Sequence, residues 1–218
     1  MANEKTERDC GACNALNCFR RDGAYPSFCV TTGTDANVLE GVTAQYQAEG
    51  LTRTLSIAAA EVEGQYYGKL TRVEEIIAFA KRIGARKIGV ATCVGLIRET
   101  QVFLKILHAK GLSGYTVACK VGSVDKTAIG IADELKVQPG CHEALCNPIL
   151  QAELLNREGT DLNVIVGLCV GHDSLFMRHS SAPVTTLITK DRILGHNPAS
   201  ALYTSGFYYK RLLQPETE

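Results

Sequence analysis

Three segments of this chain repeat one pattern: IGVATCVG, YTVACKVG and VIVGLCVG each run an apolar strand into a cysteine, with a glycine two or three residues further on. Short apolar runs of this kind suit strands buried on both faces, and helical stretches separate them. The alternation therefore predicts a parallel sheet covered by helices. The expected strands span 87–92, 115–119, 162–168 and 184–189, with helices over 72–84, 95–110, 148–158 and 172–179 and a short helix after Ser123. Thr71, followed three residues later by Glu74, reads as a capping box opening the first of these helices. The fold class expected is α/β: a Rossmann-like, three-layer, doubly wound parallel sheet of about four strands.

Upstream the pattern changes. Val38, Val42 and Tyr46 recur at helical spacing, and an alanine-rich helical stretch follows, with Gly50 between the two. The segment CGACNALNCFRRDGAYPSFC, residues 10–29, is polar, turn-rich and too poor in apolar residues for a core of its own. The expected organisation is a Cys-rich metal-binding segment over 1–36, then a helical lead-in and Rossmann-like domain over 37–218.

At 218 residues the chain can bury a full core. Lys plus Arg and Asp plus Glu balance at 23 each, without a basic block, so neither a nucleic-acid footprint nor an anionic-membrane patch is expected. The start, MANEKTERDC, lacks the apolar centre of a signal peptide, and no run reaches the roughly 18 apolar residues of a membrane span. These features point to the cytoplasm. There, structural disulfides are rare, so nine cysteines imply metal ligation or redox work.

In open parallel sheets the ligand crevice lies beyond the carboxyl ends of the strands. Cys93, Cys119 and Cys169 all fall there, each facing the start of the next helix, where free N–H groups favour the thiolate. The loop PGCHEALCNP adds Cys141 and Cys146. Taken alone, each strand-end cysteine reads as a small buried hydrophobe. Together the five form a candidate cofactor site, with Cys93, Cys141, Cys146 and Cys169 as the preferred set and Cys119 as substitute or spare. Four thiolates can hold an iron–sulfur cube, and three can hold it with one iron open to substrate. His172 and His142 lie beside these thiols as ligands, proton donors or capping residues.

The N-terminal cysteines follow C-x2-C-x4-C-x10-C at Cys10, Cys13, Cys18 and Cys29. C-x2-C lets two thiolates grip one ion from a tight turn, in zinc and iron–sulfur sites alike, and such binding couples to the folding of a small segment. This four-cysteine motif, the CNPILQAELLN segment and the GLCVGHD strand end resemble those of an uncharacterised family of bacterial and archaeal cysteine-rich proteins, a domain of unknown function described as metal-binding. The resemblance implies metal binding by Cys10, Cys13, Cys18 and Cys29 and supplies no reaction.

Two functional readings compete. In the first, one or two 4Fe-4S clusters serve redox or sulfur chemistry, as an oxidoreductase, a sulfur-transfer enzyme or a carrier. In the second, zinc fills the N-terminal site, and Gly167-Leu168-Cys169-Val170-Gly171 acts as a G-x-S-x-G elbow with cysteine as nucleophile, Asp191 and His196 following in hydrolase order. Cys169 and His172 are the catalytic candidates. A redox partner or small-molecule substrate, and a homodimer, are the partners considered.

Overall fold

The computed structural model describes residues 7–216. The first six residues of the expected Cys-rich segment, and the last two of the chain, lie outside them. The described residues divide into two compact units, one up to Ala59 and one from Ala60 on. Among the described residues no helix is long and apolar enough to cross a membrane.

The first unit holds the short helices α1 (Asn17–Arg20) and α2 (Val30–Gly33), then α3 (Ala36–Gln47) and the start of α4 (Leu51–Tyr66). The carboxylate of Asp35 caps α3 by accepting the N–H groups of Asn37 and Val38 at 2.8 and 3.4 Å, which satisfies two donors that a helix start leaves free. α3 and α4 are the two helices expected around Gly50. Val38, Val42 and Tyr46, whose spacing marks the first of them, are exposed.

The second unit carries the alternation. It comprises α5 (Arg72–Arg82), β1 (Lys87–Thr92), a 3-10 turn over Val94–Leu96, α6 (Ile97–Ala109), β2 (Ser113–Ala118), a long loop, α7 (Pro148–Arg157), β3 (Leu162–Val166), α8 (His172–His179), β4 (Val184–Ile188) and α9 (Ala199–Tyr203). The Thr71 hydroxyl and the Glu74 carboxylate form the expected capping box at the start of α5. The four strands are all parallel, in the order β2-β1-β3-β4. Ile88, Val90, Val164 and Val166 face α5 and α6 through Ile76, Ile77, Ala80, Phe103 and Leu107. Ala91, Val117 and Ile165 face α7 and α8 through Ala152, Leu155 and Phe176. Two helix layers thus enclose one sheet, the Rossmann-like α/β arrangement expected from the strand pattern. The strand order reverses between β1 and β3, and at such a point the loops above the sheet part to leave a crevice.

Candidate functional site

The carboxyl end of β1 delivers Cys93, and that of β2 delivers Cys119. Both continue the ladder past the strands: the Cys93 N–H donates to the Val166 carbonyl at 3.1 Å and the Cys119 N–H to the Thr92 carbonyl at 2.8 Å. On the far side of Cys119, its own carbonyl accepts the N–H of Asn147 at 2.7 Å, which sets Cys146 beside it. Cys93 and Cys119 lie in one buried apolar cluster, and Cys146 packs against it. Three of the five later thiols are therefore gathered, with the expected spare at the centre.

Cys146 owes its place to the loop. The chain doubles back through an antiparallel bridge between Asp125 and Ala144, and the Asp125 carboxylate accepts the N–H groups of Thr127 and Glu143 at 2.9 and 2.8 Å. These bonds, with the Lys136 ammonium, hold the Asp125 carboxyl well below the usual range. Buried Lys136 also pairs with Asp133 at 2.8 Å and donates to the Cys141 carbonyl at 3.0 Å, while Lys126 pairs with Glu143. Asn147 caps α7 by accepting the Leu150 N–H at 3.1 Å, and Pro148 occupies the first turn, where no N–H is needed. His142 reaches Asp125 at 3.3 Å and Ser123 at 3.4 Å.

The surroundings favour charge separation among the thiols. Hydrogen bonds to Cys146 and Cys93, with burial adding to them, push the Cys119 thiol up, so it keeps its proton. Cys93 is lowered by the hydrogen bond from Cys119, then by the Gly95 N–H and the Lys190 ammonium. Cys146 is lowered by Cys119, then by the charges of Lys120 and His172. One S–H can donate to only one neighbour at a time, so the flanking thiolates share one donor and rely on the cations for the remainder. Lys190 lies against the β1 end: a Cβ on Gly95 would stand 3.3 Å from its Nζ and 3.9 Å from the Cys93 sulfur.

The other two later cysteines are placed apart from this row. Cys141 is exposed at the loop tip. Cys169 lies between two glycines, Gly167 and Gly171, whose φ values of 73° and 82° turn the chain between β3 and α8. Its sulfur accepts from the Arg192 guanidinium at 2.9 Å. The Asp191 carboxylate is committed to the N–H groups of Ile193 and Leu194, at 2.9 and 2.8 Å, and the Asp191 N–H donates to His196 Nδ1 at 3.2 Å. Asp191 and His196 thus close their own turn. The Nδ1 of His172 is buried without a hydrogen-bond partner.

In the first unit, the Cys13 N–H donates to the Cys10 carbonyl at 3.1 Å, the tight turn that C-x2-C implies. Cys10 and Cys18 are exposed, Cys13 is half-buried and Cys29 is buried. The Cys29 carbonyl accepts from Arg8 at 2.7 Å, and the Thr32 N–H lowers its thiol.

Clustered thiolates are the donors that soft metals and iron–sulfur clusters take. The fit here is one of donor type. Among the described residues no group of three or more His, Cys, Asp or Glu side chains is placed to hold a metal ion. A groove of about 440 Å³ lined by Tyr66, Glu74, Ile77, Lys81, Arg82 and Lys110, among others, contains none of the thiols.

Lys190, Lys120 and Arg192 are site residues that the cysteine pattern does not reveal. Lys120 follows Cys119 directly, and Lys190 stands two residues past β4, so strand-end position was the available signal for both.

Residues 29–187 match the family described as "Protein of unknown function (DUF1847)". The matched stretch begins at Cys29, after the other three N-terminal cysteines. Over 207 residues, covering 94% of this chain and 98% of the relative, the chain is 43% identical to the uncharacterized protein MJ0455 of Methanocaldococcus jannaschii. No solved structure matches.

Proposed function

The chain belongs to the DUF1847 family, and from that premise we propose that it is a thiolate metal-binding protein serving redox or sulfur chemistry. The observation that carries the reading is the row Cys93, Cys119 and Cys146 at the carboxyl rim of a parallel sheet, set among Lys120, Lys190 and His172. The two lysine ammoniums balance the charge of two thiolates, and the crevice lies where such sheets bind ligands. An iron–sulfur centre is preferred over zinc, because a structural zinc knuckle at Cys10, Cys13, Cys18 and Cys29 would leave the rim thiols without a use. Uptake at either site requires the thiols to turn about χ1 toward a common point. A bound cluster would supply electron transfer; this chain's own residues orient the sulfurs.

Iron, zinc and acid-labile sulfide per chain, measured on anaerobically purified protein, test the proposal. Cys93→Ser, Cys119→Ser and Cys146→Ser are each expected to lower the metal content, whereas Cys141→Ser retains it. Wild-type protein without iron or zinc overturns the reading, and unchanged metal in all three variants overturns the rim site.

A further inference from the structure

Cys119 is held to a neighbour on each side by a backbone hydrogen bond. Its N–H donates to the Thr92 carbonyl and its C=O accepts from the Asn147 N–H, so Cys93 and Cys146, each next in the chain to one of those partners, flank one central residue. The 2.7 Å bond between the Asn147 N–H and the Cys119 carbonyl brings the backbones of Cys146 and Cys119 alongside, and a disulfide spans a Cα separation of about 4.4–6.8 Å. Cys146 packs against the buried cluster that holds Cys93 and Cys119. Exposure distinguishes the three: Cys93 and Cys119 are 8% and 3% exposed, and Cys146 is half-buried. Of this row, Cys146 is the most exposed residue.

We propose that Cys146 and Cys119 form a dithiol–disulfide couple that reduces the disulfide of a low-molecular-weight thiol, with Cys146 attacking and Cys119 resolving. The Cys146 sulfur attacks one sulfur of the substrate; the substrate S–S bond breaks, and one thiol leaves carrying the proton that Cys146 gave up. A mixed disulfide remains on Cys146. Cys119 then attacks the Cys146 sulfur, the mixed bond breaks, and the second thiol leaves with the proton from Cys119. Two protein thiols are oxidised to one disulfide, and one substrate disulfide is reduced to two thiols. Cys93, behind Cys119, takes no part in the first turnover.

This activity needs no metal, so it stands or falls separately from the metal content of the isolated chain. The test uses the full-length protein, reduced and stripped by chelator under anaerobic conditions, then given equimolar glutathione disulfide. After acid quench and alkylation, wild-type protein is expected to have lost two hydrogens, to join the peptides of Cys119 and Cys146, and to keep no glutathione on either. Cys119→Ser is expected to retain glutathione on Cys146. The inference is overturned if wild-type Cys146 keeps glutathione or stays reduced, or if Cys119 pairs with any other residue. Should Cys119→Ser fail to fold, the wild-type peptide map decides alone.

Discussion

Gly89 is the position where one methyl group should cost this fold most clearly. It faces Asn163 directly across the β1–β3 pairing, and a Cβ there would stand 1.9 Å from the Asn163 Oδ1 and 3.1 Å from a Leu155 methyl. Asn163 cannot yield cheaply: it is fully buried, accepts from the Thr160 hydroxyl at 2.7 Å and donates to the Ser180 hydroxyl at 2.8 Å. In an open strand, Gly→Ala would stabilise by about 0.5–1 kcal/mol through lost backbone freedom in the unfolded chain. Here overpacking costs about 1–3 kcal/mol, and displacing the buried amide adds about 1–3 kcal/mol. The sum is a destabilisation of about 1–5 kcal/mol after the small entropic gain, and the clash decides the sign. Urea unfolding of Gly89→Ala, Asn163→Ala and the double variant gives the cycle, with the change read from the midpoint at constant slope. The double variant should be less destabilised than the sum of the singles by at least about 1 kcal/mol, because removing the amide removes the clash. A Gly89→Ala protein within about 0.5 kcal/mol of wild type, or an additive cycle, refutes the reasoning.

Two predictions concern the thiols. Cys146 is lowered to about 5, chiefly by the hydrogen bond from Cys119, so its thiolate persists as pH falls and is lost only through that value. Its alkylation by iodoacetamide, followed by peptide mapping, should stay near its plateau from pH 8 to about 6, whereas an ordinary thiol slows about tenfold per unit below about pH 8.5; a Cys146 that follows the ordinary profile excludes the charge-separated row. Asp125→Ala removes the acceptor for the Thr127 and Glu143 N–H groups, loosening the loop that brings Cys146 to Cys119. The Cys146 alkylation midpoint should then move up toward that of a free thiol while the sheet's circular dichroism is kept, and an unmoved midpoint would show that the loop network does not position Cys146.

The strand-into-thiol segments made the sheet legible because a strand buried on both faces must be apolar nearly throughout, as Leu162–Val166 is, with every residue buried. The capping box at Thr71 was equally legible, being chemistry internal to a few neighbouring residues. Boundaries were less so. β2 begins at Ser113, two residues before its apolar run, because Ser113 and Gly114 pair with Lys87 and Ile88 of β1. Helical spacing located α3, but Val38, Val42 and Tyr46 are exposed, since periodicity reports a helix and not what covers it.

Residue order alone determined that cysteines would crowd one rim of a parallel sheet, since strand direction is shared by every strand and a residue after an apolar run must emerge at the carboxyl end. Which of them meet was decided by tertiary structure. The strand order β2-β1-β3-β4 makes Cys93 and Cys119 neighbours, and the Asp125 network carries Cys146 back to Cys119. Cys169, three residues past the end of β3, is turned to Arg192 instead, and Cys141 is left at the loop tip. Adjacency in a sheet depends on which strands pair across long stretches of chain, and that choice is made by packing of the whole core rather than by any local pattern.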